Sequence, residues 1–171
     1  MTASGGEATA QPEFLIALLE RCRESGVHTA LDTTGYVPWE TFEKILKHTD
    51  LVLYDIKHMD PAMHRKLTGV DNALIFQNAR RITRMGKPIW IRFPLIPGCN
   101  DDEPNIKATG AFVLELGLRQ IDLLPYHRLG TGKYLRLGRE YPVPDARPYR
   151  EDEIEKIKAL LQALGIEVRI A

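Results

Sequence analysis

An aspartate and a lysine close an apolar run in the segment Leu51-Val52-Leu53-Tyr54-Asp55-Ile56-Lys57. The run reads as a buried strand, and strand residues two apart point to one face. Asp55 and Lys57 therefore project together from the strand's end. Burying both charges is costly unless they pair or hold a ligand. One reading is an internal ion pair; the other is half of a polar binding site. Residues of similar chemistry recur along the chain. Ser4-Gly5-Gly6-Glu7 stands near its start, and Asp32-Thr33-Thr34-Gly35 follows. Arg92 precedes Pro97-Gly98-Cys99-Asn100-Asp101, and Tyr126-His127 follows Leu123-Leu124-Pro125. Each has a plain structural reading. The glycine pair makes a turn, Asp32 is a turn or N-cap residue, Arg92 is an ion-pair partner, and His127 is a hydrogen-bonded loop histidine. Taken together they suit a polar ligand carrying both charges, such as an amino-acid group. Glycines let backbone N–H and C=O groups approach such a ligand with no Cβ in the way.

The elements that must position these residues alternate. Pro12 to Ser25 has apolar residues at helical spacing and Gly26 as a stop. Val27 to Leu31 reads as a strand, Pro38 to His48 as a helix, and Leu51 to Ile56 as a strand. Asp60 caps a helix with Pro61 in its first turn. That helix breaks near Gly69, and helical pattern resumes from Asp71 to Met85. Pro88 to Ile96 is a strand, Glu103 to Leu116 a helix, and Gln120 to Pro125 a strand. A long Gly/Pro-rich segment runs from Arg128 to Arg150, long enough to suggest a functional or packed loop. Glu151 to Leu164 is a helix and Ile166 to Ile170 a last strand. Such alternation implies parallel strands with crossover helices, in a doubly wound sheet or a full or partial barrel. In both, chemistry collects beyond the carboxyl ends of the strands, where the residues above fall.

The 171 residues are 44% hydrophobic and 27% charged with formal net charge +0, as expected of one soluble domain. The neutral balance offers no electrostatic case for nucleic acid or a membrane surface. No apolar run approaches a membrane span, and the first residues do not read as a signal peptide. A cytoplasmic setting is the expectation. Cys22 and Cys99 form no disulfide framework and are too few for a cysteine-ligated cluster.

The ordered segments resemble the glycyl-radical-enzyme activating enzymes of the radical S-adenosylmethionine superfamily, typified by pyruvate formate-lyase activating enzyme. They run from Ser4-Gly5-Gly6-Glu7 through His28 to Gly35 and Asp50 to Lys57. His64, Thr68-Gly69-Val70 and Asn72 follow. Trp90-Ile91-Arg92, Ile96-Pro97-Gly98, Leu123 to His127, Lys133-Tyr134 and Leu137-Gly138 complete the set. Each motif alone is weak, whereas the ordered set is specific. The resemblance implies that Gly5, Gly6 and Glu7 bind the amino group of S-adenosylmethionine through their backbone. It implies that Asp55 and Lys57 contact its ribose and carboxylate region and His127 its ribose and adenine. Asp32, Thr33, Leu53 through its carbonyl, and Asp55 match a monovalent-cation site, and Arg92 faces substrate or ligand. The implied chemistry is reductive cleavage of S-adenosylmethionine by a [4Fe–4S] cluster, with hydrogen abstraction from a glycine of a glycyl radical enzyme. Flavodoxin or ferredoxin is the implied electron donor.

The family holds its cluster with Cys-x3-Cys-x2-Cys ahead of Gly-Gly-Glu, and this chain begins at Gly-Gly-Glu. The expectation is the later part of a partial (β/α)6 barrel, without the first strand and cluster loop, and inactive alone. A fragment or a misassigned start codon would account for it. The exposed sheet edge would then favour self-association. Two rival readings are a non-catalytic protein-binding module and an aldolase-like barrel using Lys57 as a Schiff-base lysine.

Overall fold

The computed structural model describes residues 1–127, 138 and 146–171. Six parallel strands form one sheet in chain order: β1 (Thr2–Ala3), β2 (Ala30–Thr33), β3 (Leu51–Asp55), β4 (Ile89–Leu95), β5 (Gln120–Pro125) and β6 (Glu167–Ile170). Between them lie α1 (Pro12–Glu24), α2 (Trp39–Leu46), α3 (Pro61–Thr68), α4 (Ala73–Arg84), α5 (Glu103–Glu115) and α6 (Glu151–Gln162). A doubly wound sheet reverses its strand order at a switch point. Here the order runs straight through, so the sheet is singly wound and of the partial-barrel type.

Burial follows the same plan. On β4, Ile89, Ile91, Phe93 and Leu95 are buried, while Trp90, Arg92 and Pro94 alternate with them and are not. On β3, Val52 and Tyr54 are buried between the less buried Leu51, Leu53 and Asp55. One face of the sheet thus packs into the core with Leu15, Leu19, Phe42, Ile75, Ile82, Phe112 and Leu161 from the helices. The other face is only partly buried at β3 and β4 and carries Asp32, Asp55 and Arg92. The expected helices and strands are present, with ends shifted by a few residues. Asp60 caps α3 by accepting from Met63 N at 2.7 Å, and Gly69 ends it at φ 88°.

One expectation needs correction. The strand expected over Val27 to Leu31 lies instead at Ala30–Thr33. Thr29 is held short of it by the Asp50 carboxylate, which accepts from its N–H at 2.7 Å, and by His48 O, which accepts from its hydroxyl at 2.8 Å. Asp32 and Thr33 are consequently strand residues, opposite Leu53 and Tyr54, rather than a turn or cap. The long segment after β5 falls mostly outside the described residues, as do Lys133, Tyr134 and Leu137. Its end is described: Ala146 is buried, and the Tyr149 hydroxyl donates to Asp101 at 3.1 Å.

Candidate ligand site at the carboxyl ends of the strands

The loop leaving β1 turns at Gly5 (φ 101°) and Gly6 (φ 57°), both in the left-handed region that favours glycine. No atom lies within 4 Å of where a Cβ would stand on either, so their backbone faces open space. Glu7 behaves differently from its neighbours. Its carboxylate turns inward and ties β1's loop to the end of β2. Oε1 accepts from the Thr33 hydroxyl at 2.6 Å and the Thr9 hydroxyl at 2.9 Å. Oε2 accepts from Thr34 N at 3.0 Å and the Thr34 hydroxyl at 2.7 Å. Burial opposes its charge, but these hydrogen bonds outweigh burial and hold the carboxyl below its ordinary range.

Three strands supply the charged centre. Arg92 on β4 stands directly opposite Asp55 on β3. Its Nε donates to Asp55 Oδ1 at 2.9 Å, and Nη2 lies 2.7 Å from the same oxygen. Nη2 also contacts Asp32 Oδ1 on β2, while the Ser4 hydroxyl donates to Asp32 Oδ2 at 2.8 Å. Burial pushes the Asp55 carboxyl up, against the pull of Arg92 and Lys57. Burial acts the opposite way on Arg92, and its two carboxylates overcome it, so the guanidinium holds its proton above its ordinary value. These shifts pull the contact in opposite senses. The forked geometry and a partner that is always charged make it an ion pair.

These groups line a cleft of about 220 Å³ with Gly5, Gly6 and Lys57. An adjoining cavity of about 280 Å³ shares Gly6, Glu7, Thr34 and Lys57 and extends to Tyr36, His64 and Thr68. The structure thus brings together Gly5, Gly6, Glu7, Asp32, Thr33, Asp55, Lys57 and Arg92. Leu53 lies beside them, opposite Asp32 in the ladder. His127 is exposed two residues beyond β5 and does not line the cleft.

Three buried asparagines hold the loop that carries Lys57. Asn100 Nδ2 donates to Lys57 O at 2.9 Å and Pro94 O at 2.6 Å, and its Oδ1 accepts from Ile96 N at 2.8 Å. Asn105 accepts from Met59 N at 2.8 Å and donates to Asn100 O at 2.7 Å. Asn72 donates to His58 O at 2.9 Å and Met59 O at 2.8 Å. Sequence reasoning gave Asn72 and Asn100 no role and passed over Asn105. The available signal was their positions alone, Asn72 before a predicted helix and Asn100 and Asn105 around the start of another.

Charged groups and open backbone stand above a singly wound parallel sheet of the partial-barrel type. Residues 1–108 match the Radical SAM superfamily, and the chain belongs to that superfamily. Its relatives there are the glycyl-radical-enzyme activating enzymes. It is 49% identical over 145 residues to the isethionate sulfite-lyase activating enzyme of Nitratidesulfovibrio vulgaris, covering 84% of this chain and 47% of that one. It is 36% identical over 171 residues to the pyruvate formate-lyase 1-activating enzyme of Escherichia coli, covering 98% and 70%. The chain thus spans about half the length of the first of these relatives. A domain of pyruvate-formate lyase-activating enzyme from Bacteroides vulgatus superposes with TM-score 0.83 at 34% identity, covering 100% of this chain and 98% of that one.

Proposed function

We propose that this chain carries the S-adenosylmethionine-binding part of an activating enzyme whose whole protein generates a glycyl radical on a partner such as pyruvate formate-lyase. The observation that supports this most is the cleft itself. Open backbone at Gly5 and Gly6 faces a partly buried set of opposite charges from Asp32, Asp55, Lys57 and Arg92. A zwitterion finds acceptors for its ammonium and cations for its carboxylate there, and the methionine part of S-adenosylmethionine is one. Glu7 supports the site from beneath, its side chain fixing the loop while the main chain meets the ligand. Lys57 and Asp55 orient the carboxylate and ribose region. His127 is the proposed contact for ribose and adenine.

The iron–sulfur cluster of the superfamily supplies the electron for reductive cleavage. The residues present do not fit it. Cys22 lies on α1 and Cys99 follows β4, which leaves no set of three thiolates. Among the described residues no group of three His, Cys, Asp or Glu side chains could hold a metal ion. The proposed contribution of this chain is therefore binding and orientation, with weak affinity and no turnover alone. In the whole protein, flavodoxin or ferredoxin is the proposed reductant. Self-association of the isolated chain is also proposed. It is supported by edge strand β1 and by exposed Phe14 and Leu18 on α1.

Saturation-transfer NMR with S-adenosylmethionine tests the binding role. Ligand signals are expected to take up saturation from the wild-type chain and to lose most of it with Lys57→Ala and Asp55→Ala. Equal transfer in all three proteins contradicts the assignment.

A further inference from the structure

Asp32, one residue before the end of β2, and Asp55, the last of β3, share one guanidinium. Adjacent strands stand about 4.8 Å apart, so Arg92 on β4 must lean across β3 to reach Asp32 on β2. It does so while forking onto Asp55. All three side chains are largely buried, with 23%, 16% and 17% of Asp32, Asp55 and Arg92 exposed.

Two carboxylates beside main-chain carbonyls are donors suited to a hard cation, and the sequence resemblance implies a monovalent cation there. The donor set as arranged does not fit one. The Arg92 guanidinium already stands between the two aspartates and takes the Oδ1 of each, the oxygens a cation between them would need. The Thr33 hydroxyl is turned away, donating to Glu7 at 2.6 Å and accepting from Gly35 N at 2.9 Å.

We propose that Arg92 is the resident cation of this pocket. Its guanidinium fills the place between Asp32 and Asp55, and an external monovalent cation enters only by displacing it. Arginine suits this role because its planar fork serves two carboxylates at once and never loses its proton. Lysine offers a point charge that satisfies one carboxylate well and the other poorly. The cation affinity of the ligand-free chain is then set by competition with its own side chain. The inference concerns the cleft assigned above to S-adenosylmethionine, yet it stands on the aspartate–arginine geometry alone. Failure of that ligand to bind leaves it intact.

Thermal unfolding in KCl and in N-methyl-D-glucamine chloride at equal ionic strength tests it. The wild-type chain is expected to unfold at the same temperature in both salts. Arg92→Gln leaves two carboxylates without their cation, and K⁺ at tenfold excess over its Kd is expected to raise its Tm by about 4 °C. A K⁺ gain in the wild type equal to that of Arg92→Gln overturns the proposal, as does no gain in the variant. Should Arg92→Gln fail to fold, Arg92→Lys takes its place. A K⁺ gain larger than the wild type's supports displacement, and an equal gain overturns it.

Discussion

Glu7 shows how one side chain can brace a cleft from within, its carboxylate taken up by neighbouring residues. Its carboxylate gathers hydrogen bonds from Thr9, Thr33 and Thr34, which lower its pKa against burial. A carboxyl whose folded pKa is depressed contributes stability above its unfolded value and loses that contribution as pH falls through the folded value. The wild type's urea midpoint should therefore drop as pH falls below about 4.3, the ordinary glutamate value. Glu7→Gln should lower the midpoint at neutral pH and flatten this acid dependence. The amide places an N–H₂ against groups that donate, a loss of about 2 kcal/mol. Parallel acid profiles for the two proteins would contradict the assigned role. Asp55 and Lys57 were legible in the sequence as charges projecting together at one strand's end, and Arg92 as an ion-pair partner. The inward turn of Glu7 was not, because motif spacing shows which residues are near and not which way a side chain turns.

At the scale of elements, the loops after β2 and β3 are held by buried polar contacts. Gly35 has φ 71°, and a Cβ there would run into the Tyr54 ring and hydroxyl. That hydroxyl is itself fixed, donating to Ile75 O at 2.7 Å, while Asn78 donates to the Gly35 and Val37 carbonyls at 2.8 Å. Gly35→Ala combines left-handed backbone with overpacking and should cost about 3 kcal/mol. Gly69→Ala has the same backbone cost without a clash and should cost about 1 kcal/mol. Urea unfolding of the two variants separates the effects, and equal losses would remove the clash as the cause. Asn100→Ala should cost about 2 kcal/mol and also weaken ligand binding, because Lys57 O loses its anchor. Unchanged ligand affinity would make Asn100 a scaffold residue only. Hydrophobic period and turn residues made most elements legible to within a few residues. The shift of β2 was not legible, since Val27 and Ala30 are both apolar. The choice between them rests on the long-range Thr29–Asp50 contact.

Among the described residues the molecule is a sheet with one face packed into the core and one less buried, and the proposed site stands where the second meets the strand ends. Sequence alternation alone left the choice between a doubly wound sheet and a barrel open. Strand order and one-sided burial on β3 and β4 decide it. The same architecture leaves β1 as an edge and exposes 66% of Phe14 on α1, an arrangement that invites association. Sedimentation velocity should show concentration-dependent association that Phe14→Glu weakens, and a wild-type monomer at high concentration would contradict it. The central claim is that the glycine turn and the charged strand ends form one ligand site. It is tested most directly by backbone amide shifts of the ¹⁵N-labelled chain during titration with S-adenosylmethionine. The account predicts that the largest shifts fall on Gly5, Gly6 and Lys57 and saturate with a single affinity. Shifts confined to residues outside the cleft, or none at millimolar ligand, would contradict it.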